Sequence, residues 1–132
     1  MSNAELARAW FEEVWNQRKP DAIDRMLAPH AHAHHECFEV SSAQEFRAKV
    51  YDTFTRGVPD LKITVEDVVA DDERAAVRWR ATGTHRGELM GVPATGKPIT
   101  INGMSWFTIR GGKLDEGWDV WSLERLMQSL AT

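Results

Sequence analysis

The period of the hydrophobic residues changes once along this chain, and that change constrains its fold more than any other feature. Before Gly57 the apolar residues recur at three- and four-residue spacing: Leu6, Ala7, Trp10, Phe11, Val14 and Trp15 in one stretch, then Phe46, Val50 and Phe54 in another. From Leu61 they recur at every second residue. The first spacing lines one stripe of a helix, and the second lines one face of a strand. Helices followed by strands, rather than alternating with them, predict an α+β protein. A chain of 132 residues suits one domain around one core, taken as residues 1–132.

The first helix is expected over Ala4 to Arg18, capped by Ser2 or Asn3. Pro20 stops it and begins a short second helix bearing Ala22, Ile23, Met26 and Leu27, which Pro29 ends. A short strand over His30 to Val40 places His30, His32 and His34 on one side. Ser42 and Glu45 have capping-box spacing and open a third helix that Gly57 ends.

Four strands follow. Leu61, Ile63, Val65 and Val69 share a face of the first; Val77, Trp79, Ala81 and His85 share a face of the second. Ile99, Ile101, Ser105, Phe107 and Ile109 alternate in the third. After a turn at Gly111–Gly112, the last puts Leu114, Glu116, Trp118 and Val120 on one face, with Asp115, Gly117, Asp119 and Trp121 on the other. Leu123, Leu126, Met127 and Leu130 predict a closing helix. The expected shape is a cone: a curved, mostly antiparallel sheet wrapped around the N-terminal helices, open at one end to a small hydrophobic ligand.

A net charge of −4, with acids and bases interspersed, leaves no basic stripe for nucleic acid. No apolar run is long enough to span a membrane. Cys37 is the only cysteine, so no internal disulfide can form, and a reducing, cytoplasmic setting is the simpler reading.

Gly91 to Lys97 matches most of a phosphate-binding loop but is rejected as one. Pro98 stands where a magnesium-binding Ser or Thr is needed, and a strand follows where a helix should. The run His30, His32, His34, His35, Glu36 and Cys37 invites a metal, yet its members do not share one face, and His85 is the only other histidine. No metal is expected at this run. Asp119 has two readings: a solvated strand residue, or a carboxylate dehydrated in an aromatic pocket and fit for acid/base work. Parity does not decide, because a cone can bury parts of both faces. His85 should point inward near a strand end, as a loop anchor or a site residue. Trp79, Trp106 and Trp121, with Ser105, are candidate ligand contacts.

The stretch from Gly83 to Lys97 resembles the SnoaL-like polyketide cyclases, or ester cyclases, of the nuclear transport factor 2-like superfamily. Pro59–Asp60–Leu61, Gly112–Lys113–Leu114, Glu116–Gly117–Trp118–Asp119 and Leu126–Met127–Gln128 carry the same likeness. The resemblance implies a cone-shaped, cystatin-like α+β barrel, a homodimer formed through the sheet, and no metal and no organic cofactor. It also implies acid/base chemistry on a hydrophobic carbonyl compound, intramolecular aldol ring closure or isomerisation, with Asp119 moving protons and His34 at the cavity rim. His34 or His85 would help position or polarise the substrate. In family cyclases a histidine tends to stand two residues before the acid; here that position is Gly117. Ser105 and Ser122 stand where more strongly polar residues are expected. A non-catalytic small-molecule-binding or dimeric interaction module is the alternative on the same fold.

Overall fold

The computed structural model describes residues 1–131. Helix α1 (Asn3–Ala9) continues into a π-helical segment, Trp10–Asn16. Then come α2 (Asp21–Met26), β1 (Leu27–His35) and β2 (Phe38–Val40). Helix α3 (Ala43–Phe46) runs through a second π-helical segment, Arg47–Tyr51, into α4 (Asp52–Gly57). The remaining strands are β3 (Lys62–Ala70), β4 (Arg74–Thr84), β5 (Pro98–Arg110) and β6 (Lys113–Trp121), and α5 (Leu123–Leu130) closes the chain. The sheet runs in the order β2-β1-β6-β5-β4-β3. Only the β1–β6 pair is parallel among the described strands.

Local chemistry explains the helix starts. The Ser2 hydroxyl accepts from the Glu5 N–H, and the Glu5 carboxylate accepts from the Ser2 N–H, each at 3.0 Å. Ser42 caps α3 through the Glu45 N–H, and Ser122 caps α5 through the Arg125 N–H. The second helix ends earlier than expected. Leu27 is already extended, so Pro29 lies inside β1 rather than at a helix end. The β1–β6 register slips between Leu27 and His32, where Pro29 has no N–H to give the ladder. The expected single strand over His30–Val40 is a hairpin, folded at Glu36–Cys37.

The core sits between the helices and the concave face of the sheet. Leu6, Trp10, Phe11, Val14 and Trp15 meet Ile63, Val77, Trp79, Ile101, Phe107 and Leu114 there. Two β-bulges correct the predicted faces. Glu66 is an extra residue between the Val65–Trp79 and Asp67–Arg78 pairs. It turns Val68 towards the core and leaves Val69 exposed. On β6, Ile109 pairs with Leu114 and Thr108 with Glu116, so Asp115 is extra. Leu114 and Gly117 therefore both point inward, whereas Trp118 and Val120 lie outside at 39% and 70% exposure. The one-residue insertion reverses the alternation for everything beyond it.

Candidate functional site

The concave face and the helices enclose an aromatic cavity of about 100 Å³, several times what one water needs. Trp10, Phe11, Trp15, Phe46 and Phe54 form its helical wall; Trp79, Ile101, Phe107 and Trp121 form much of the sheet wall. Asp119 lines it as well, because the bulge at Asp115 has turned this part of β6 inward. Parity left that residue undecided; the bulge decides it.

A relay of hydrogen bonds holds the carboxylate. The Trp79 Nε1–H donates to Ser105 Oγ at 2.9 Å, and the Ser105 hydroxyl donates to Asp119 Oδ1. The indole N–H can only donate, so it leaves the serine proton free for Asp119. Asp119 Oδ2 has no hydrogen-bond partner among the described residues, and the residue lines the cavity. Burial pushes the Asp119 carboxyl above the ordinary aspartate range, while the Ser105 bond and nearby His35 oppose that rise. The relay depends on a close approach. Gly103 lies directly across from Trp79 in the β4–β5 ladder, and its missing side chain lets the indole lie over the strand.

His35 is the inward histidine of β1. Its ring stacks on Trp121 at 4.2 Å and packs at 5.9 Å from Phe38. Cys37 donates its backbone N–H to His35 Nδ1 at 3.1 Å, and its Sγ lies 2.9 Å from the same nitrogen. Burial pushes the Cys37 thiol up to about 11, so it stays a thiol that can donate. His35 Nε2 faces the Trp121 carbonyl at 3.3 Å.

The other candidates fall elsewhere. His34 pairs in register with Trp118, and its ring lies 5.3 Å from that exposed indole. Its side chain therefore turns to the outer face, although the residue borders the cavity. There Nδ1 meets Glu39 at 2.6 Å and Nε2 meets Glu116 at 2.7 Å. Glu116 first, and Glu39 after it, raise the His34 pKa. Trp106 also lies outside, 44% exposed under Arg74, because Ser105 and Phe107 take the inward positions beside it. His85 is fully buried and does not line the cavity. Its Nδ1 meets Thr95 Oγ1 at 2.9 Å, and its backbone bonds Lys97 and Gly96, so it anchors the 85–97 loop. At Gly117, where the family resemblance led to a histidine being expected, a Cβ would sit 3.2 Å from Phe107 Cδ1. Ser122 caps α5.

Sequence reasoning missed His35 and the Glu39–His34–Glu116 cluster. A signal for His35 was present. Ala31 and Ala33 alternate with His30, His32 and His34, and the small apolar face continues into His35. Among the described residues, no group of three potential ligands could hold a metal ion. No described helix is long and apolar enough to cross a membrane.

Solved structures share this architecture. A protein from Jannaschia sp. CCS1 named as a SnoaL-like polyketide cyclase superposes with a TM-score of 0.88 at 22% identity, covering 98% of this chain and 95% of that one. IdmH from Streptomyces antibioticus, named as a polyketide cyclase, gives 0.83 at 23% identity over 100% of both chains. At such identities the likeness shows the fold. AclR from Streptomyces galilaeus, named as a hydroxylase, is 31% identical, with a TM-score of 0.82, over 98% of this chain and 82% of its own. No curated protein matches the sequence. The family described as SnoaL-like polyketide cyclase matches residues 5–130. With the inward Asp119 and the nuclear transport factor 2-like cone already in place, that match establishes that the chain belongs to the SnoaL-like polyketide cyclase family.

Proposed function

We propose that the cavity binds an uncharged, hydrophobic carbonyl compound and that Asp119 moves protons on it, closing a ring by intramolecular aldol addition. One observation carries this reading: Asp119 lines an aromatic cavity, with one oxygen held by Ser105 and the other without a hydrogen-bond partner among the described residues. A carboxylate takes an α-proton, the resulting enolate attacks a second carbonyl, and the carboxylic acid returns the proton to the new alkoxide. No cofactor enters that balance. Dehydration of the carboxylate raises its basicity, as enolisation requires. Proteins on this cone are named for different chemistries, so fold alone does not choose the reaction.

The test uses aryl polyketones of one to three rings, followed by chromatography, since aldol closure changes retention without changing mass. Asp119→Asn should slow closure by about 10²- to 10⁴-fold. Equal turnover by the variant rules out the assignment. The sparse polar lining favours a second reading, a non-catalytic binding module; ligand recovered unchanged after prolonged incubation supports that one.

We also propose a homodimer through the outer face of the sheet. Met104 pairs with Val120 and Trp106 with Trp118 at its centre, and all four are exposed. The unpaired Cys37 suits a reducing, cytoplasmic setting.

A further inference from the structure

The cavity contains a second polar side chain that the proposed reaction has not yet used. Of its histidine and carboxylate neighbours, His32, His34 and Glu116 belong by register to the outer face of β1 and β6. That leaves Asp119 and His35 as the titratable side chains turned inward. The parallel β1–β6 ladder pairs Ala33 with Gly117 and His34 with Trp118, and His35 and Asp119 are the next residues along the two strands. Both His35 and Asp119 line the cavity.

The hydrogen bonds of His35 set its tautomer. The Cys37 backbone N–H can only donate, so Nδ1 accepts and the ring proton sits on Nε2. Stacking on Trp121 and the contact with Phe38 hold the ring plane. The Nε2–H points at the Trp121 carbonyl from 3.3 Å, beyond the usual 2.7–3.2 Å of a good N–H···O bond. A fixed ring with one loosely engaged donor, beside a carboxylate in an apolar cavity, is suited to another acceptor.

We propose that His35 is a second catalytic residue, whose Nε2–H donates to the substrate carbonyl oxygen while Asp119 takes the α-proton. The inference rests on the reading of Asp119 as the acid/base. The C–H electron pair becomes the enolate double bond, the carbonyl π pair moves onto oxygen, and the His35 donor stabilises that developing charge. The imidazole keeps its proton. The enolate then attacks the second carbonyl, and Asp119 returns its proton to the new alkoxide. Cys37 acts through His35 as a positioning residue.

The experiment uses 2-acetylnaphthalene labelled with ¹³C at the carbonyl, and 2-ethylnaphthalene as the matched hydrocarbon. Tryptophan fluorescence measures binding, and infrared difference spectra read the bound carbonyl stretch. The wild type should bind both, with the stretch shifted to lower frequency and the ketone favoured by about two- to tenfold. His35→Phe keeps the stacking surface and should lose both the shift and the preference. His35→Gln keeps a donor and should retain part of each, and near-UV circular dichroism confirms that both variants fold. Asp119→Asn should leave the shift in place. A full shift in His35→Phe, or one abolished by Asp119→Asn alone, would overturn the role of His35 while leaving the cavity reading intact. Failure of both probes to bind the wild type would overturn the cavity reading and this inference with it.

Discussion

Gly103→Ala tests the architecture of the site without touching a reactive group. The added Cβ would lie 2.7 Å from Trp79 Cη2 and 2.8 Å from Cε2, with Cζ2 closer still. Those atoms belong to a rigid indole packed against Phe11. The ring must lift, and lifting it breaks the 2.9 Å bond from Nε1 to Ser105. Overpacking a core costs about 1–3 kcal/mol. Stranding a buried donor costs about 1–3 kcal/mol more. Allowing for partial relaxation, the substitution should destabilise by about 2–5 kcal/mol. For a domain of this size that is a fall in Tm of roughly 7–18 °C. Thermal unfolding by far-UV circular dichroism measures it, and the near-UV spectrum reports the displaced indole. Loss of the Trp79 donor should also alter the environment of Asp119. A variant within about 0.5 kcal/mol of wild type, with an unchanged near-UV spectrum, would refute the seating of Trp79 on Gly103 and the relay built on it.

The remaining predictions concern charge and assembly. Asp119 has a folded pKa raised above its unfolded value, so its favourable contribution is complete below about pH 4 and is lost as pH rises through the folded pKa. Asp119→Asn, still able to accept from Ser105, should therefore gain Tm relative to wild type between pH 4 and pH 8; a constant difference across that range refutes the burial argument. His34 also has a raised pKa, so its pairing with Glu116 and Glu39 stabilises below about pH 6.5 and fades as pH rises through the higher folded value. In His34→Gln that fade should be absent from the Tm–pH profile; since the cluster is partly exposed, the effect should also shrink in high salt. Val120→Glu with Trp118→Lys should convert a dimer to a monomer in light scattering, without loss of folded signal; an unchanged mass excludes the outer face as the contact.

Much of this molecule was legible in order. The shift from helical to strand spacing near Leu61 predicted the α+β class, and the Gly111–Gly112 turn and the inward rows of β4 and β5 appear where alternation placed them. The likeness carried by Gly83 to Lys97 was borne out by a family match over nearly the whole chain. Alternation failed at two residues, Glu66 and Asp115, and both failures have one cause. A bulge inserts a residue that no local pattern announces, because both sides of it remain good strand sequence.

The sequence by itself therefore determined which segments are helix or strand outside Leu27–Val40, since hydrophobic period is a local property that burial enforces residue by residue. Tertiary structure alone decided which face of β6 meets the cavity, that His35 rather than His34 turns inward, and that Trp106 and Trp118 turn outward. Those outcomes depend on the register between strands far apart in sequence. One inserted residue at Asp115 moves a carboxylate between solvent and cavity with no change in the residues that follow it.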